Sequence, residues 1–174
     1  AALESTGTGN IILNGTGGQS SAQGYGVWVD TAGSVTATGS GTITIAGTGG
    51  SGNNTLSGTL VSGDIEANTG NITLTGTGGT GTGGNNWGIG VTGGATIAST
   101  STALDAGAIT LIGQGGSGTA DNVGIQVSGG SQINTVNGNV RLTGTGGTAS
   151  GETNIGIQMQ ASLINATGTA TVTL

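Results

Sequence analysis

The chain has 174 residues, 42 of them glycine, with no proline, cysteine, histidine, lysine or phenylalanine and only 5% charged residues. Seven acidic residues and one arginine give a net charge of −6, so there is no basic surface for phosphates or anionic headgroups, and nucleic acid and membrane surfaces are poor partners. No apolar run approaches the roughly 18 residues of a membrane helix, so no membrane insertion is expected, and the bulky core of an ordinary globule is excluded by composition.

Taken in order, the chain repeats one motif. Gly9 to Gly18 (GNIILNGTGG) returns at Gly41 to Gly50 (GTITIAGTGG), Gly70 to Gly79 (GNITLTGTGG), Gly107 to Gly116 (GAITLIGQGG) and Gly138 to Gly147 (GNVRLTGTGG), with a truncated copy at Gly168 to Leu174 (GTATVTL). The starting glycines are 32, 29, 37, 31 and 30 residues apart, a period that marks a solenoid or other repeat array. Glycine-rich, low-charge sequence can also be a flexible tract, but a linker has no reason to return its apolar residues in register. Each copy alternates apolar and polar residues and ends in a glycine cluster, which predicts a half-buried strand followed by a turn.

Two further apolar segments follow in each repeat. The second reads Tyr25-Gly-Val-Trp-Val29, Trp87-Gly-Ile-Gly-Val91, Val123-Gly-Ile-Gln-Val127 and Ile155-Gly-Ile-Gln-Met159. The third centres on Val35, Ile65, Ile97, Ile133 and Ile164, with Ala37, Ala67, Ser99, Thr135 and Ala166 two positions on. Between Ser51 and Thr69 the second segment is unclear, and Leu56 and Leu60 are expected to fill that wall in a shifted register. Extra residues near Ser101 to Asp105 are expected to bulge as a loop, where added length costs little.

The pattern predicts an all-β protein: a single domain over residues 1–174, folded as a three-sided parallel β-helix (β-solenoid) of about five coils of 29–37 residues. Stacking at about 4.8 Å aligns like residues in columns. One column is expected to run Leu13, Ile45, Leu74, Leu111, Leu142, Val172, and its neighbour Ile11, Ile43, Ile72, Ile109, Val140, Ala170. Asn86, Asn122 and Asn154, each just before the second strand, are the candidates for an asparagine ladder, since buried amides need partners. Ala1 to Gly9 reads as the end of a third strand and Leu174 falls inside a first one, so uncovered coils are expected to stack end to end or to continue into further repeats.

The string GNITLTGTGGTGTGGNNWGIGV, with its echo GAITLIGQGGSGTADNVGIQV, resembles the repeat regions of large secreted bacterial exoproteins of the filamentous-haemagglutinin-like, β-strand-repeat kind. The resemblance implies a right-handed coil, export to the cell surface, and work as an adhesin shaft or matrix fibre.

Candidate sites are few. Without histidine, cysteine or lysine, catalysis would fall to carboxylates, hydroxyls and Tyr25. Asp64 and Glu66 flank inward-facing Ile65 and stand about 6.5–7 Å apart, the lower edge for an inverting glycosidase. Their expected neighbours Ser34, Thr36, Thr96 and Ala98 offer no cation and no aromatic platform, so the pair reads as a solvated acidic spot and no catalytic residue is assigned. Asp30, Asp64, Asp105 and Asp121 occupy non-equivalent positions, which predicts no calcium column, no other metal and no cofactor. The glycines Gly26, Gly88, Gly124 and Gly156 precede strands and have no lysine after them, so they read as close packing at a corner rather than phosphate loops. Asn-x-Thr sequons at Asn14, Asn71 and Asn165 arise readily in Asn/Thr-rich sequence.

Two surfaces remain. Trp28, outward and expected beside Gly90, is a candidate contact for a sugar ring. Thr73 and Thr75, with Thr171 and Thr173, suggest a flat grid of about 6.7 by 4.8 Å, interrupted by Ile12, Ala46, Ile112 and Arg141. The expected function is a structural, non-enzymatic module of a secreted or cell-surface adhesin, sheath or extracellular filament. Its expected partners are itself and surface glycans or matrix; the alternatives are ice binding and, more remotely, a carbohydrate-active β-helix enzyme.

Overall fold

The computed structural model describes residues 1–149 and 153–174. Strict alternation in Ile72–Thr77 puts Ile72 and Leu74 on one side of the pleat and Thr73 and Thr75 on the other; the apolar pair is fully buried and the threonines are half-buried. One coil consists of Ile72–Thr77, Thr80–Gly81, Ile89–Val91 and Thr96–Ser99. Each strand pairs in parallel with its counterpart one coil away, giving in coil order sheets of six, five, five and six strands. None of the described residues is helical. The protein is an all-β parallel β-solenoid.

Three of these sheets are the walls expected from the apolar pattern. The fourth is a narrow strip made by Gln19–Ser20, Ser51–Gly52, Thr80–Gly81, Ser117–Gly118 and Thr148–Ala149. It lies within the glycine clusters, where no apolar alternation exists to reveal it, and it is held by backbone pairing.

The interior is built of columns. On the first wall Ile11, Ile43, Ile72, Ile109 and Val140 stack in register, as do Leu13, Ile45, Leu74, Leu111 and Leu142. On the third wall Leu3, Val35, Ile65, Ile97, Ile133 and Ile164 do the same. Ile72, Leu74, Ile109 and Leu111, in the middle coils, are fully shielded from solvent. A solenoid this narrow therefore needs no aromatic core, because each aliphatic side chain is covered by its like above and below.

The register departs from expectation in two places. Val172 pairs with Val140 and not with Leu142, and Ala170 lies outside the strand. The Ala170 N–H closes a turn onto the Thr167 carbonyl around Gly168, whose φ of +67° is left-handed, and this turn takes up the two residues of difference. In the second coil Thr59–Val61 keeps the common register, with Thr59 opposite Val27 and Ile89. The Thr59 hydroxyl donates to the Thr75 carbonyl at 2.8 Å, so a threonine replaces the usual aliphatic residue without an unmet hydroxyl. Leu56 does not fill that wall; it is buried at the preceding corner, and Leu60 turns outward, with its Cδ1 over Gly90.

The extra length at Ser101 to Asp105 is an outward loop, with Leu104 81% exposed at its tip. Asn137 ties it to the next coil by donating from Nδ2 to the Thr102 carbonyl at 2.7 Å.

Glycine has a specific task between the first and second walls. A Cβ at Gly15, Gly47, Gly76, Gly113 or Gly144 would collide with the carbonyl oxygen of Gly26, Gly58, Gly88, Gly124 or Gly156 respectively. A Cβ at Gly88 would in turn lie 2.6 Å from the Gly124 oxygen and 2.7 Å from that of Gln114. The two walls touch backbone to backbone along this line, which only residues without a side chain permit.

Candidate functional site

The corner before the second wall carries the asparagine ladder. Asn86 and Asn122 are completely buried. The Asn86 Nδ2 donates to Asn122 Oδ1 at 3.0 Å and to the Ser117 carbonyl at 3.0 Å, while Asn122 Nδ2 donates to Asn154 Oδ1 at 3.3 Å. At the upper end the Leu56 N–H donates to Asn86 Oδ1 at 3.2 Å. Leu56 thus occupies the ladder's place one coil earlier and terminates the side-chain chain with a backbone donor. The backbone carbonyls at this corner are used as well: Gly79 N–H donates to Leu56, Gly116 to Asn86 and Gly147 to Asn122, at 2.6 to 2.7 Å. Every amide in the ladder is therefore tied to the coil beside it, as burial of such groups demands.

A second set of asparagines escaped the sequence reading. Asn10, Asn71 and Asn139 precede the first wall, and each Oδ1 accepts a backbone N–H one coil on, from Thr42, Ala108 and Thr171, at 2.8 to 2.9 Å. The signal was the dipeptide Gly-Asn at the start of alternate copies, which serves as a clip between coils.

The outward face of the first wall has three columns rather than two. The first runs Ile12, Thr44, Thr73, Thr110, Arg141, Thr173, the second Asn14, Ala46, Thr75, Ile112, Thr143, and the third Thr16, Thr48, Thr77, Gln114, Thr145. Only the coil of Thr73, Thr75 and Thr77 is threonine in all three.

On the second wall Trp28 is half exposed and packs its ring against Tyr25, with centroids 5.5 Å apart and planes tilted by 59°. Its neighbour along the axis is Leu60, which separates it from Gly90. Burial raises the Tyr25 phenol above its ordinary value of 10.0.

Asp64 and Glu66 flank buried Ile65 on one strand, beside Ser34 and Thr36. The Asp64 carboxylate accepts the Thr96 N–H at 2.9 Å and so acts as another clip between coils. Asp30 accepts from the Thr31 N–H at 2.7 Å. Among the described residues no group of three or more acidic residues is placed to hold a metal ion.

No family model matches this chain, and neither a curated protein nor a solved structure is similar to it at a significant level.

Proposed function

We propose that the chain is a structural β-solenoid module, a non-catalytic shaft segment of a surface adhesin, sheath or extracellular filament of the filamentous-haemagglutinin-like kind. The carrying observation is that four parallel ladders keep their register from coil to coil through repeats of unequal length. Hydrogen bonds of the ladders run along the axis and are reinforced by the asparagine clips, so a pull along that axis loads many bonds in parallel. The exposed threonine and asparagine columns make a neutral hydrated surface suited to an extracellular position. The association this geometry supports is axial, with a further coil or another copy continuing the same ladders. Immunogold labelling of the source cells with an antibody raised against the chain tests the reading. Decoration of the cell surface or of shed fibres is expected, whereas label confined to the cytoplasm would refute it.

A second reading, ice binding, gains support from the third threonine column at Thr16, Thr48, Thr77 and Thr145, which widens the flat face. Interruptions at Ile12, Ala46, Ile112, Gln114 and Arg141 keep it second. Measurable thermal hysteresis in the purified chain, lost in Thr73→Lys, would place it first.

A further inference from the structure

The outward side of the second wall changes character along the axis. In the first two coils it carries Trp28 and Leu60; in the next three it carries Gly90, Gln126 and Gln158 in register. Gly90 has a consequence for Trp87, three residues earlier and just before the same strand. A Cβ at Gly90 would stand 2.7 Å from Trp87 Cε3, so the missing side chain is what lets the indole lie back across the strand. The Trp87 Nε1 is buried with no hydrogen-bond partner, so the protein's own groups do not satisfy this wall.

Beside that ring lies a pocket of about 190 Å³ lined by Asn85, Trp87, Asp121, Gln126, Gln158 and Gln160. That is space for on the order of a dozen waters. Gln126 is only 5% exposed, yet neither its carboxamide nor that of Gln158, nor the Asp121 carboxylate, is engaged in a hydrogen bond within the described chain.

The rim has an unusual backbone. Thr55, Asn85, Asp121 and Thr153, one in each of the second to fifth coils, hold left-handed φ angles of 56°, 61°, 52° and 68°. Asn and Asp are the side chains that accept this conformation most readily, and here they are the two that border the pocket. Because Thr55 and Thr153 hold it too, the left-handed conformation belongs to the corner of the coil, and at the pocket it carries one amide and one carboxylate side chain.

We propose that this pocket binds a neutral carbohydrate, the hydroxyls of one pyranose ring held by Gln126, Gln158, Asn85 and Asp121. Carboxamides both donate and accept, which matches hydroxyls that do the same, and a carboxylate accepts from two adjacent hydroxyls. No cation lines the pocket, and Asp121 repels negative charge, which excludes phosphorylated and acidic ligands. The polar lining is equally unsuited to a lipid. This site does not depend on the chain being a shaft, and it differs from that of exposed Trp28, which lines a cavity of about 300 Å³ at the first coil with no Asn or Gln side chain around it.

Isothermal titration calorimetry of the full chain with cellotriose, maltotriose and chitotriose tests the proposal. Saturable binding of at least one of them is expected, weakened at least about tenfold in Gln126→Ala. Asp121→Gly, which keeps the left-handed backbone accessible, should weaken it to a similar degree, and Trp28→Ala should leave it unchanged. Circular dichroism of both pocket variants confirms that they fold; if Gln126→Ala does not, Asp121→Gly decides alone. No saturable heat with any of the three sugars overturns the proposal. So does binding that survives Asp121→Gly but is lost in Trp28→Ala, or tighter binding of polyanionic hyaluronan than of the neutral sugars.

Discussion

The line of glycines between the first and second walls makes one methyl group decisive, and two alanine substitutions should shift stability in opposite directions. At Gly76 a Cβ would meet the Gly88 carbonyl oxygen, would lie 2.6 Å from the Gly88 carbon, and 2.8 Å from Ile89 Cγ1. The obstacle is backbone held in a ladder, so neither side can retreat without breaking hydrogen bonds to the coils above and below. Overpacking commonly costs 1–3 kcal/mol, and with no flexible side chain to absorb the strain Gly76→Ala belongs at or above the upper end, about 3 kcal/mol. Gly18 has nothing within 4 Å of the same atom and no left-handed φ. There the substitution mainly restricts the unfolded chain and should stabilise by roughly 0.4–1 kcal/mol. Urea denaturation followed by far-ultraviolet circular dichroism separates them: with a slope near 2 kcal/mol per molar, the midpoint should fall by about 1.5 M in Gly76→Ala and rise by a few tenths of a molar in Gly18→Ala. Equal midpoints for the two variants would refute the backbone contact.

Leu74→Asp places a carboxyl in a fully buried column in a chain whose one basic residue is Arg141 on the outer face, and should cost about 5 kcal/mol or more, read as loss of the cooperative melt. Asn122→Ala removes one acceptor from Asn86 and one donor to Asn154 in a buried ladder, so the urea midpoint should drop by an amount equivalent to roughly 1–3 kcal/mol; no change would mean water replaces the amide freely. Thr55→Asn relieves a β-branched residue held at a φ of 56° and should stabilise by about 1 kcal/mol, whereas destabilisation would show that Thr55 is not strained. Tyr25, the one tyrosine, is protonated and favoured by burial, so its phenolate absorbance should titrate above 10.0. Since the unfolded phenol ionises first, stability is complete below pH 10 and declines as pH rises through the folded value; titration at or below 10 would contradict burial of the ring.

The walls were legible because burial writes itself as alternation: Ile72 and Leu74 differ from Thr73 and Thr75 by the side of the pleat they occupy, and the same contrast recurs in each copy. The asparagine corner at Asn86, Asn122 and Asn154 was legible for a related reason, since identical amides at identical positions have each other as partners. What depended on backbone conformation left no such trace. The narrow fourth sheet is made of Thr80–Gly81 and its counterparts, residues with no apolar pattern. The shift of Val172 onto Val140 turns on one left-handed glycine. Leu56 looked like a wall residue because it is apolar, yet it stands at the asparagine corner, where a leucine is tolerated because its backbone N–H completes the ladder. The pocket beside Trp87 depends on the absence of a side chain at Gly90 and on the turn geometry of Asn85 and Asp121, none of which has a periodic signature.

The contact between the first and second walls also governs how such a chain can change over generations. Each coil fits any neighbour that presents a glycine on both sides of that line, whatever it displays outward, so a duplicated or deleted stretch of about one repeat rejoins the stack in register. The outward columns, where threonine, alanine, isoleucine and arginine already alternate on one face, are free to drift. Lengthening, shortening and resurfacing are therefore separable changes, and the glycines at the contact are the positions where any added side chain meets backbone.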